Sequence, residues 1–185
     1  MIIFSDSGDR EEENRKKILL EKSIKLAVDK HCGQVDRSGS PYILHCLRVM
    51  NNVPQRVDIM IAAVLHDIVE DTNISFYDLW KMEIDDNILL IIDLLTRQKT
   101  IEYFDYIERL KNNEMACAIK LADIEDNINL LRLNVITDAD KSLVDRYHKA
   151  YSILIKHGIE VAKKYMYSVI NPGLCQNCGW KGLPT

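Results

Sequence analysis

At 185 residues, 47% of them hydrophobic and 28% charged, the chain is long enough for one domain with its own core and has the make-up of an ordinary globular protein. A net charge of -4 argues against a broad nucleic-acid interface, which carries a basic footprint. No apolar run approaches the roughly 18 residues that span a bilayer, and Met1-Ile2-Ile3-Phe4 is followed at once by Ser5-Asp6-Ser7-Gly8-Asp9, so neither a membrane partner nor a signal peptide is expected. The expected location is cytoplasmic, with all five cysteines reduced.

Residues 11–31 carry Leu20, Ile24, Ala27, Val28 and His31 on one helical stripe. The loop 32–40 contains Gly33 and Gly39, which break the helix, and Pro41 suits the first turn of a second helix. Val57, Ile61, Val64, Leu65 and Ile68 form a third stripe, read as one helix running on to Asp71-Thr72-Asn73. Ser75 is placed to cap a short helix through Trp80. Residues 87–96 are densely aliphatic, and 101–110 and 114–131 read as further helices. Thr137 or Asp138 opens another, ending at Gly158 before a last helix to about Val169. β-Branched residues sit at helical spacings and no hairpin dipeptide occurs, so the fold class is all-α, a bundle with short connections. Residues 1–170 are expected to form the domain and 171–185 a tail.

The run Ala63-Val64-Leu65-His66-Asp67-Ile68-Val69-Glu70-Asp71-Thr72 sets four ionisable groups among five apolar ones. Burying such groups costs several kcal/mol, roughly, unless something pairs with them, and a divalent cation is one such partner. With Glu70 three and four residues beyond Asp67 and His66, all three can share a helix face, which would suit a hydrolytic site. Two more segments, Pro41-Tyr42-Ile43-Leu44-His45 and Ile119-Lys120-Leu121-Ala122-Asp123, again put a ligand-type side chain in an apolar helical run.

His45, His66-Asp67 and Asp123, in that order, resemble the H…HD…D pattern of the HD superfamily of metal-dependent phosphohydrolases. The likeness is closer to its alarmone-hydrolase branch, the hydrolase domains of RelA/SpoT-type enzymes and their small stand-alone relatives. It rests on His31-x-Gly33-Gln34-x-x-Arg37-Ser38-Gly39-x-Pro41-Tyr42-x-x-His45, Leu65-His66-Asp67-x-Val69-Glu70-Asp71-Thr72 and Lys120-Leu121-Ala122-Asp123. The resemblance implies an HD-domain helical bundle with His45, His66, Asp67 and Asp123 as metal ligands and Glu70 and Asp71 as the catalytic pair. It implies Mn²⁺; the nitrogen and oxygen donor set also suits Fe²⁺ or Zn²⁺. Arg37, Asn127 and Tyr147 then become substrate contacts, and the expected substrate is ppGpp, hydrolysed at its 3′ position. No segment is left to hold an alarmone synthetase. The sequence leaves an oligomer open.

The chain departs from that pattern in places. Where the family loop has two adjacent basic residues, this one reads Asp36-Arg37, which counts against a guanine nucleotide rich in phosphates; Arg97 and Lys99 are candidates to supply the charge instead. Cys46 replaces the usual proline after His45. His31 is expected to be a packed or capping residue, and His148 and His157 surface residues. Cys175-x-x-Cys178 resembles half of a zinc ribbon and is read as a relic, a site shared with a second subunit, or a redox pair. Two other functions stay open at this stage: a nucleotidase acting on another nucleotide, and a non-catalytic nucleotide sensor.

Overall fold

The computed structural model describes residues 6–170, with side chains from 10 to 157, and is helical throughout apart from one isolated bridge between Val35 and Pro41. Its helices are α1 Asp6–Lys30, α2 Ile43–Asn51, α3 Val57–Val64, α4 Ile68–Asp71, α5 Phe76–Lys81, α6 Asp86–Leu95, α7 Tyr103–Leu110, α8 Glu114–Asn127 and α9 Asp138–Ile170, with a 3₁₀ turn at Leu130–Arg132. The all-α expectation holds. None of these helices is long and apolar enough to cross a membrane. The tail with Cys175 and Cys178 lies outside the described residues.

α3 is the hub. Apart from Asp58 in its first turn its sequence is apolar, so it has little face to show water. Ile59, Ile61, Ala62, Ala63 and Val64 are all buried. α1, α2, α6 and α8 pack around it, and α9 closes over α7 and α8. Side-chain caps set several helix starts. Ser75 and Asp78 form the expected capping box of α5, Asn113 accepts from Ala116 N–H at the start of α8, and Thr137 and Asp140 form a reciprocal pair at the start of α9.

Several boundaries differ from expectation. α1 begins earlier, at Asp6. Pro41 precedes α2 rather than lying inside it, because it is engaged in the bridge to Val35. α8 stops at Asn127, and Leu130–Arg132 is a separate turn. α9 runs through Gly158: one glycine costs a helix about 1 kcal/mol, too little to stop it between Lys156 and the helix-compatible residues that follow.

The difference that matters most lies at 65–67. The third stripe is not one helix: α3 ends at Val64 and α4 starts at Ile68. Between them the backbone tightens to three-residue hydrogen bonds, Leu65 O accepting from Ile68 N–H at 3.0 Å and Ala63 O from His66 N–H at 3.5 Å. The apolar periodicity runs across this break and hides it. The break lifts His66 and Asp67 off the helix surface at the centre of the bundle.

Candidate functional site

Four side chains from three helical regions converge beside α3. His45 comes from α2, His66 and Asp67 from the α3–α4 break, and Asp123 from α8. One ligand atom each of His45, His66 and Asp123 lies within 4.8 Å of the others. His45 Nε2 stands 3.3 Å from Asp123 Oδ1 and 3.6 Å from Asp67 Oδ2; His66 Nε2 stands 2.9 Å from Asp67 Oδ2 and 3.8 Å from Asp123 Oδ1. His45, His66 and Asp123 are buried, and the Asp67 side chain is 21% exposed.

Each of the four is also held from outside. His45 Nδ1 lies 2.6 Å from Asp126 Oδ2, and His66 Nδ1 lies 2.8 Å from the Ala63 carbonyl. The Tyr42 hydroxyl donates to Asp67 Oδ2 at 2.5 Å. Lys120 Nζ and Asn127 Nδ2 donate to Asp123 at 2.7 and 2.5 Å. Carbonyls and ionised carboxylates only accept, so both imidazoles carry a hydrogen on Nδ1. In a neutral ring the lone pair then sits on Nε2, facing carboxylate oxygens. Both Nε2 atoms are buried without a hydrogen-bond partner. Lone pairs and carboxylates turned on one point repel unless a positive charge sits there. Protons can supply it: burial lowers the proton affinity of both rings, but Asp123, Asp126 and Asp67 push His45 up to about 11, and Asp67 and Asp123 push His66 up to about 9. A divalent cation supplies it better, and the nitrogen and oxygen donor set fits one. The His/Asp cluster could therefore bind a divalent metal.

Two cavities open from this centre. The larger, about 270 Å³, is lined by Asp67, Glu70, Asp71 and Asp123, by Arg97, Lys120 and Arg146, and by Tyr103 and Tyr147 among others. Four carboxylates against three cations make a wall that repels phosphate, and a bound dication reverses that sign. Glu70 Oε2 accepts from the Arg97 backbone N–H at 3.0 Å. Burial raises the pKa of both Glu70 and Asp71, and the charge of nearby Asp67 raises them further. Arg146 lies 4.9 Å from the Tyr103 ring and 5.5 Å from the Tyr147 ring. The smaller cavity, about 190 Å³, is lined by Val35, Asp36, Arg37, Ser38, His45, Asn129, Arg132 and Leu133. Tyr42 and Asn127 line both.

The structure thus brings His45, His66, Asp67, Asp123, Glu70, Asp71, Asn127 and Tyr147 around one centre. Arg37 lies on the smaller cavity, ion-paired with Asp140 at the start of α9. Arg97 reaches the larger cavity, while Lys99 is exposed. His31 is packed as expected, 5.1 Å from the Tyr42 ring, and His148 is exposed. Asp36 lines the smaller cavity beside Arg37, but its carboxylate is engaged by its own loop and by Arg132. Its side chain is 7% exposed and accepts from Ser38, Ser40 and Arg132, forming the hub of its own loop. Sequence reasoning assigned no role to Tyr42, Lys120, Asp126 or Arg146. Lys120 could have been found from its place one turn before Asp123, and Arg146 from its place beside Tyr147.

Helical bundle and buried His/Asp centre together define a domain of the HD type. No protein-family model matches the chain. It is similar to the guanosine-3′,5′-bis(diphosphate) 3′-pyrophosphohydrolase of Borreliella burgdorferi, 29% identical over 171 residues, which cover 85% of this chain but only 25% of that longer protein. It is 30% identical over 136 residues to guanosine-3′,5′-bis(diphosphate) 3′-pyrophosphohydrolase MESH1 of Drosophila melanogaster, covering 67% of this chain and 75% of that one. A solved structure described as a metazoan orthologue of SpoT that hydrolyses ppGpp superposes with a TM-score of 0.63 at 26% identity, over 75% of this chain and 84% of the other. The chain belongs to the guanosine-3′,5′-bis(diphosphate) 3′-pyrophosphohydrolase family.

Proposed function

We propose that this protein is a metal-dependent hydrolase that takes ppGpp and water to GDP and pyrophosphate, and pppGpp to GTP and pyrophosphate. The observation that carries this reading is the pair of inward-facing, unpartnered Nε2 atoms among carboxylates, opening on a cavity with both acids and cations. Membership of the family named for this reaction supports the substrate.

His45, His66, Asp67 and Asp123 would hold the metal, with Mn²⁺ as the proposed ion. When bound, it would supply Lewis acidity toward the 3′-diphosphate and lower the pKa of a water. Glu70, with its raised pKa, is suited to take the proton of the attacking water, and Asp71 to orient that water. Lys120, Arg97 and Arg146 would offset charge on the phosphates. Tyr147 and Asn127 would contact the nucleotide, and because Asn127 lines both cavities, one ligand can extend from the larger into the smaller, where Arg37 stands. The Arg48 and Arg132 guanidiniums paired with Asp36 offset its charge at the smaller cavity, which weakens the sequence objection to a phosphate-rich substrate. We also propose a cytoplasmic location, with residues 1–170 as the catalytic unit.

The test is product analysis of Mn²⁺-loaded protein with ppGpp, beside a panel of nucleoside mono-, di- and triphosphates, with Asp67→Ala as the blank. GDP and pyrophosphate released by the parent and absent in the blank are expected. Turnover of another nucleotide with ppGpp intact would replace this substrate with that one.

A further inference from the structure

His45 makes a contact that metal binding itself does not use. Asp126 lies three residues beyond Asp123, one turn along α8, with its side chain 4% exposed. Its Oδ2 takes His45 Nδ1 at 2.6 Å. Two guanidiniums grip the same carboxylate: Arg48 Nε donates to Oδ1 at 2.5 Å and Nη2 to Oδ2 at 3.1 Å, and Arg132 Nη2 donates to Oδ2 at 3.2 Å and to the Asp126 carbonyl at 2.7 Å. Asp36 Oδ2 backs both, 2.7 Å from Arg132 Nη1 and 3.5 Å from Arg48 Nη2.

A neutral imidazole has two tautomers, and only one presents a lone pair to the centre. An acceptor-only group at Nδ1 removes the other. We propose that Asp126 is a positioning residue: it takes the Nδ1 hydrogen of His45 and so fixes Nε2 as the metal-binding atom, while Arg48 and Arg132, braced by Asp36, hold its carboxylate in place. The proposal rests on the metal reading of the site and is independent of which nucleotide is turned over. An ion pair serving structure alone needs only the guanidiniums. The bond to His45, the shortest of the three at Oδ2, goes to a ring whose other nitrogen faces Asp67 and Asp123.

Two measurements test it. Parent protein labelled with ¹⁵N-histidine and loaded with Zn²⁺ as a diamagnetic probe should show His45 protonated on Nδ1 and coordinated through Nε2. In calorimetric titration with Mn²⁺ alone, Asp126→Ala should lose about 10- to 100-fold in affinity, the usual cost of removing the outer partner of a metal-bound histidine. Asp126→Asn should fall between, since its amide oxygen still accepts. Coordination of His45 through Nδ1, or a folded Asp126→Ala that binds Mn²⁺ like the parent, overturns the role of Asp126 and leaves the metal site standing. Absence of any metal uptake by the parent overturns both. If Asp126→Ala does not fold, the parent spectrum decides alone. Neither measurement uses nucleotide, so a parent that binds metal in this way yet leaves ppGpp intact would count only against the proposed substrate.

Discussion

Glu70 stands one turn past Asp67, with its carboxylate oriented by the Arg97 backbone and no charged partner of its own among the hydrogen bonds and ion pairs of the site. An acid placed that way is available for proton transfer. Glu70→Gln should keep Mn²⁺ affinity and lower turnover by about 10²- to 10⁴-fold, read by metal titration beside steady-state rates; a variant as active as the parent would remove Glu70 from the reaction. Asp36 illustrates the opposite case, a charge used for architecture. Burial works against its ionised form, but hydrogen bonds from Ser38 and Ser40 and the charge of Arg132 win and hold its pKa below the usual value. A lowered folded-state pKa gives stability that is present above the unfolded value and lost as pH falls through the folded one. Asp36→Asn should therefore cost about 1–3 kcal/mol near neutral pH, and parent and variant should converge below about pH 4, measured by urea denaturation across pH. The His/Asp cluster was legible in the sequence because its residue types are odd in apolar runs. The partners that orient them were not: Asp126 is an ordinary acid on a helix until the fold sets it against His45, 81 positions away.

Among the elements, α3 has the largest task, since α1, α2, α6 and α8 all pack on it. Ile61 is fully buried there, one turn before the break that carries His66 and Asp67. Ile61→Ala should cost about 2–5 kcal/mol through lost burial and a residual cavity, measured as a lowered denaturation midpoint at unchanged slope. Helix starts were legible wherever a side chain caps its own backbone, as at Ser75 and Thr137, because that chemistry is local. The break at 65–67 was not, because Val64, Leu65 and Ile68 keep helical spacing across it and only packing from other elements bends the chain. Gly158 misled in the other direction: a weak local breaker lies inside a 33-residue helix.

At the level of the whole molecule, protons balance the charge of the centre proposed to hold a cation. His45 and His66 have pKa values raised to about 11 and about 9, so the stability they give is fully present below the ordinary histidine value and is lost as pH rises through 9 and on to 11. A metal needs neutral rings and displaces those protons. Mn²⁺ uptake should release protons, its affinity should climb between about pH 7 and 9, and saturation at about 100 times Kd should add about 2.7 kcal/mol of stability. Calorimetry in buffers of different ionisation enthalpy checks the first two and thermal melts the third; uptake without proton release would mean that the rings are already neutral. Shortening the chain after Pro172 should leave hydrolysis intact, as a rate assay on the shortened protein would show; loss of activity would give residues 173–185 a part in the site.

Asp140 does two jobs: it closes the cap of α9 and it anchors Arg37 from the loop before α2. The order of manufacture on the ribosome gives that double contact a meaning. All four proposed metal ligands have been synthesised by residue 123, whereas Arg146, Tyr147 and the anchor of Arg37 come only with α9. The chain therefore completes the proposed metal centre before the walls of its larger cavity, and α9, the last of the described helices to emerge, is the one that closes them.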